Sequence, residues 1–134
     1  MKILVTGFEP FGGEAINPAQ QIVESLPETI SGAQVVKKIV PCVFGEAIKQ
    51  VRQAMEQERP DIVVCIGQSG GRQAICPERV AINLRDARIP DNRGNQPVDE
   101  PSPLCPSRLW CRPSGRKAFP PRCPTPQAPM YAMT

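Results

Sequence analysis

Nine of the 17 prolines in this 134-residue chain fall at or after Pro101. Proline fixes φ and lacks a backbone donor, so so dense a run forms neither helix interiors nor central strands. From Ser102 onward there is also no valine, isoleucine, aspartate or glutamate, and five residues are basic. That segment therefore carries +5, against −2 for the first hundred residues. A composition of this kind is expected to remain disordered. The chain divides into an organised unit, 1–101, and a non-native tail, 102–134. A basic nucleic-acid arm is the competing reading of the tail. Its aromatics Trp110, Phe119 and Tyr131 stand singly and make no stacking platform, so no nucleic-acid partner is expected.

The first hundred residues have the grammar of an α/β protein, and the length suits one domain rather than two. Lys2 to Thr6 reads as a strand running into Gly7 and a glycine-rich loop. Asn17-Pro18 is a helix start, with Asn as N-cap and Pro at the first helical position. The helix Ala19 to Leu26 would bury Ile22, Val23 and Leu26. Gln34 to Val40 reads as a strand ended by Pro41. Between Gly45 and Glu58, Ala47, Ile48, Val51, Ala54 and Met55 recur at helical spacing. Pro60 stops that helix, and Asp61 to Ile66 reads as a strand buried on both faces. Alternation of this kind predicts an open, mostly parallel sheet with helices on both faces, a three-layer α/β sandwich incomplete at its C-terminal side. Ligands of such sheets gather at the carboxyl ends of strands, which points to the loops after Thr6 and after Ile66.

Several chemistries are set aside by residue usage. The chain has no histidine, so it holds no imidazole base. None of Cys42, Cys65, Cys76, Cys105, Cys111 and Cys123 forms a C-x-x-C pair, so neither a metal nor any other cofactor is expected. Cys65 lies in the apolar run Ile62 to Ile66 and is expected to be a buried, inert thiol. No run of eighteen apolar residues exists, so no membrane partner is expected. The apolar run Ile3 to Val5 is too short for the core of a signal peptide, and cytoplasmic residence is the default.

Three stretches resemble the cysteine-type pyroglutamyl peptidase I family. They are Thr6-Gly7-Phe8-Glu9-Pro10-Phe11-Gly12-Gly13 with Asn17-Pro18, then Gly67-Gln68-Ser69-Gly70-Gly71-Arg72, then Pro77-Glu78-Arg79-Val80-Ala81-Ile82-Asn83. The last continues into Asp86-Ala87-Arg88-Ile89-Pro90-Asp91-Asn92. The resemblance implies a hydrolase that removes N-terminal pyroglutamate from peptides with a Glu, Cys, His triad in that chain order, and a homo-oligomer. Glu78 matches the glutamate, whose role would be to orient the imidazole and stabilise it when charged. The uncharged lactam needs flat apolar walls and amide-type partners. Phe8 and Phe11 suit the walls, and Asn17 and Gln68 the amide. The Gly70-Gly71 turn would let backbone N–H groups approach, and Arg88 matches a position near the active site. Singly, these residues have plainer readings. The phenylalanines are loop packing, Asn17 a helix cap and Glu78 a surface carboxylate.

The family's cysteine segment, which reads S-N-T-A-G-T-x-x-C-N, is absent in frame. Back-translation of the tail in a shifted frame restores it. The junctions Trp110-Cys111 and Met130-Tyr131 force valine, Met133-Thr134 forces aspartate, and Cys123 to Thr134 is able to spell S-N-T-A-G-T-Y-V-C-N-D. The tail is thus expected to be the same gene read out of frame, with the histidine further on. Cys123 is not the family cysteine. The chain as written is expected to be inactive. The alternative is a non-catalytic fragment that still binds pyroglutamyl peptides.

Overall fold

In a computed structural model, residues 1–101 are described, and the tail 102–134 lies outside the described residues. Strand β1, Lys2–Phe8, ends in the glycine-rich loop, and α1, Pro18–Ser25, starts where Asn17 caps it. Asn17 has extended backbone geometry, and its Oδ1 accepts from Ala19 N at 2.9 Å, with Pro18 opening the helix. A short β2, Thr29–Ile30, turns into β3, Ala33–Val40. Helix α2, Glu46–Glu58, ends at Arg59 in the left-handed region, where Arg59 N donates to Met55 O at 3.0 Å ahead of Pro60. Then come β4, Ile62–Cys65, and two short strands, β5, Leu84–Arg85, and β6, Glu100–Pro101.

The main sheet has the order β2-β3-β1-β4. β1 pairs in parallel with β3 (Lys2 opposite Gln34) and with β4 (Ile3 opposite Ile62), while β2 joins β3 antiparallel. β5 and β6 form a separate antiparallel pair. Helix α1 packs on β1 and β3, where Val5, Val23 and Val35 form a buried cluster edged by Ile3, Leu26, Ile39 and Ile66. Side chains alternate across a strand, so Leu4, Val36 and Val40 face the other way, towards α2 and its buried Ala54. The expected architecture, a mostly parallel sheet with helices on both faces, is what the chain adopts. Gly7 is required by the close approach of α1. A Cβ there would sit 2.8 Å from Ala19 O and 2.9 Å from Val23 Cγ2.

Three burial expectations are corrected. Ile22 is exposed on α1, because only the Ala19–Val23 stripe of that short helix meets the sheet. The strand expected to be buried on both faces is not: Ile62 and Val64 are 44% and 42% exposed. Cys65, expected as a buried thiol, is exposed as well. The cause is position. β4 is the outermost strand of the sheet, the two helices lie over β1 and β3, and nothing among the described residues covers it. Among the described residues, no helix is long and apolar enough to cross a membrane.

Candidate functional site

The loops expected to carry the site leave the carboxyl ends of adjacent parallel strands. Phe8 closes β1, and Gln68 follows β4, whose last residues are held beside β1 by Ile66 N donating to Thr6 O at 2.8 Å. Phe8, Phe11 and Gln68 are half-buried, while Gly70 and Gly71 are exposed. Gly71 takes φ +81, which an L side chain rarely adopts, so the Ser69–Arg72 turn requires glycine there.

Asn17 has two jobs at once. Its oxygen caps α1, and its Nδ2 donates to Glu9 O at 3.0 Å, fixing the start of the aromatic loop. The side chain is 1% exposed and both its oxygen and its nitrogen are engaged within the protein. It serves the loop as a brace.

Glu9 is a junction that the sequence did not flag. Its Oε1 accepts from Cys42 N at 3.2 Å and from Asn92 Nδ2 at 2.9 Å, and Glu9 N donates to Val40 O at 3.0 Å. Asn92 Nδ2 also reaches Pro10 O at 2.9 Å, and Asn92 N donates to Cys42 O at 3.0 Å. Beside it, the Asp91 carboxylate gathers Phe44 N, Arg93 N and Asn95 N, each at 2.8 Å, together with the Asn95 amide. Desolvation pushes the Asp91 carboxyl up, but the Asn95 side chain and the three backbone donors outweigh it and bring it down to about 2. The 91–95 turn therefore knots the segment after β5 onto the ends of β1 and β3. Ile89 accompanies it, since its Cδ1 lies 3.8 Å from where a Cβ on Gly12 would be. The tip of the Ile89 side chain thus lies against the glycine turn that follows Phe11.

Glu78 stands apart from this knot. Its carboxylate pairs with Arg72 Nη1 at 3.1 Å and its side chain is 64% exposed. Hydrogen bonding to Glu78, and then to the Cys76 thiol, raises the Arg72 guanidinium further above its ordinary value. Arg88 is exposed, and its carbonyl accepts from Gln96 Nε2 at 3.0 Å. The described thiols differ in character. Burial, and then the Asp91 and Glu9 carboxylates, push the Cys42 thiol up, so it stays protonated, while Cys65 and Cys76 are exposed. An open pocket of about 280 Å³ is lined by Phe44, Arg85, Asn95, Gln96, Pro97 and Glu100. It contains none of the expected site residues, and its Arg85 is already paired with Glu100 at 2.8 Å. The candidate site is therefore the pair of strand-end loops, which carry the expected residues and lie where α/β sheets bind ligands.

What the two loops bring to the same ends of β1 and β4 is two half-buried aromatic residues, the Gln68 amide and the exposed Gly70-Gly71 turn. The pyroglutamyl peptidase family model matches residues 1–113. The pyrrolidone-carboxylate peptidase of Clostridium perfringens is 56% identical over 99 residues, covering 74% of this chain and 46% of that protein. Its counterpart in Levilactobacillus brevis is 59% identical over 101 residues, covering 75% of this chain and 50% of that one. Among solved structures, pyroglutamyl peptidase I of Bacillus amyloliquefaciens superposes with a TM-score of 0.71 at 52% identity, over 75% of this chain and 49% of its own. A mutant pyrrolidone carboxyl peptidase from Pyrococcus furiosus gives 0.72 at 50% identity, with the same coverage. The chain spans about half the length of the curated relatives it matches.

Proposed function

Because this chain belongs to the pyroglutamyl peptidase family, we propose that it carries the lactam-recognition part of a cysteine peptidase removing N-terminal pyroglutamate from peptides. The observation that carries the reading is the placement of the matched segments. The Phe8–Phe11 loop and the Gln68–Gly71 loop leave the same ends of two paired strands, where α/β sheets bind ligands. In this reading Phe8 and Phe11 sandwich the lactam ring, and Gln68 pairs with its amide. The N–H groups of Gly70 and Gly71 approach the acyl group, and Asn17 holds the aromatic loop. Glu78 would orient an imidazole and Arg88 would lie beside the reacting carbonyl. Thiolate attack on that carbonyl needs a cysteine and a base together.

The 134-residue chain has no histidine, and Cys42, half-buried near Glu9 and Asp91, is suited to packing rather than to attack. We propose that it binds without turning over, and that restoring the reading frame after Glu100 restores hydrolysis. Residues 102–134 are then out-of-frame sequence. Three free thiols among the described residues suit a reducing cytoplasm. The test is direct. A pyroglutamyl-amide chromogenic substrate should go unhydrolysed by the chain as written and be hydrolysed by the frame-restored protein. Titration of the chain with a pyroglutamyl peptide should shift the resonances of Phe8 and Gln68. Turnover by the unrepaired chain would overturn the account of the missing base, and silence at both residues would overturn the pocket.

A further inference from the structure

Phe8 and Phe11 are separated by Glu9 and Pro10, and the backbone polar groups of this short spacer are all engaged. Glu9 N donates to Val40 O at 3.0 Å, and Glu9 O accepts from Asn17 Nδ2 at 3.0 Å. Pro10 has no N–H, and its carbonyl accepts from Asn92 Nδ2 at 2.9 Å. The Glu9 side chain adds a further anchor, since its Oε1 accepts from Cys42 N at 3.2 Å and from Asn92 Nδ2 at 2.9 Å. Asn92 thus gives both hydrogens of one amide to the spacer. The Asp91 hub next to it fixes the turn that carries it. Phe8 and Phe11, by contrast, are left half-buried.

Bracing of this kind is ordinary in a core, but the spacer lies at the carboxyl end of β1, between side chains that the fold leaves partly open. A flat, uncharged ring gains from walls whose separation is fixed beforehand, because binding then has little left to order. We infer that Glu9 and Asn92 are positioning residues for lactam recognition. By clamping the spacer they set the separation of Phe8 and Phe11, and with it the ring size that is accepted. Neither touches the substrate, and both act through the phenylalanines. The inference rests on the peptidase reading above and adds to it the residues that fix its selectivity.

The test titrates the 134-residue chain with pyroglutamyl-alanine and with its homologue bearing a six-membered lactam, following the resonances of Phe8 and Gln68. The parent should prefer the five-membered ring. Asn92→Asp keeps the shape of the side chain but removes the donor and sets a second carboxylate against Glu9. It should weaken binding of pyroglutamyl-alanine by about tenfold and shrink the preference for the smaller ring. Glu9→Ala should act in the same direction, and Glu9→Gln, which retains an acceptor, should recover most of the loss. Val35→Ala removes core packing near the opposite end of β1. It should lower stability and leave both affinity and preference unchanged. A parent indifferent to ring size, an Asn92→Asp chain that discriminates like the parent, or an equal loss in Val35→Ala would each overturn the inference. A parent that binds neither peptide would count against the peptidase reading, and amide exchange would then decide the clamp. Glu14 N donates to Phe11 O at 3.2 Å. Asn92→Asp should speed exchange at Glu14 N by about tenfold relative to the buried Leu4 amide. A faster ratio would uphold the clamp, and an unchanged one would overturn it.

Discussion

The Asn92 amide donates to Glu9 Oε1 at 2.9 Å, joining residues 83 positions apart. The same nitrogen reaches Pro10 O, and Glu9 Oε1 also accepts from Cys42 N, so one side chain ties three loops together at the ends of β1 and β3. Asn92→Ala should lower the stability of the chain by about 1 kcal/mol, the usual net worth of such bonds near the surface. It should also speed hydrogen exchange at Cys42 N. Urea denaturation and amide exchange would check this, and unchanged exchange at Cys42 would count against the tie.

Asp91 gives the same knot a pH dependence. Its carboxyl is held at about 2 in the folded chain, below the ordinary value of 3.8. The stability it contributes is therefore fully present above about 3.8 and lost as pH falls from there through about 2. Asp91→Ala should be less stable than the parent at pH 7, and the gap should narrow across that window. Urea midpoints of both proteins between pH 7 and 2 would show it, and a constant gap would contradict it.

Gly7→Ala places a Cβ 2.8 Å from the Ala19 carbonyl oxygen, which is backbone and cannot swing aside. The expected loss is about 1–3 kcal/mol, typical of forcing volume into a packed contact. A thermal midpoint equal to the parent's would mean that α1 is free to move away from the sheet.

Asn17 separates capping from bracing. Asn17→Asp keeps an oxygen for Ala19 N but loses the donor to Glu9 O, whereas Asn17→Ala loses both. Stability should fall in the order parent, Asp, Ala, with about 1 kcal/mol attributable to the cap. Aspartate matching alanine would show that the cap contributes nothing here.

Sequencing the gene from the Glu100 codon onward bears on the tail. A restored frame containing S-N-T-A-G-T-Y-V-C-N-D would identify the proline-rich segment as out-of-frame sequence, and an unbroken proline-rich frame would refute that reading.

Local chemistry made much of this fold legible. The Asn17-Pro18 start, the Pro60 stop and the β1, β3 and β4 strands follow from capping, missing donors and apolar runs, all contained within a few residues. Burial was less legible, because it depends on what lies opposite. Ile62 and Val64 read as core strand residues and are exposed, since β4 is outermost. The Glu9–Asn92 tie and the Asp91 hub left no periodic trace either. Polar groups that meet across eighty residues obey no spacing rule, although Glu9, Asp91 and Asn92 all lie inside the stretches that carried the family resemblance.

The order of the sheet bears on how such a chain comes off the ribosome. β1 is made first yet lies between β3 and β4, paired with residues that follow it by 32 and 59 positions, Lys2 with Gln34 and Ile3 with Ile62. At ordinary translation speeds of about 5–20 residues per second, this central strand waits several seconds for its second neighbour to emerge. Until then its apolar residues Leu4 and Val5 have only one side of their final environment, and nascent-chain chaperones would meet the protein at its middle strand before its rim exists.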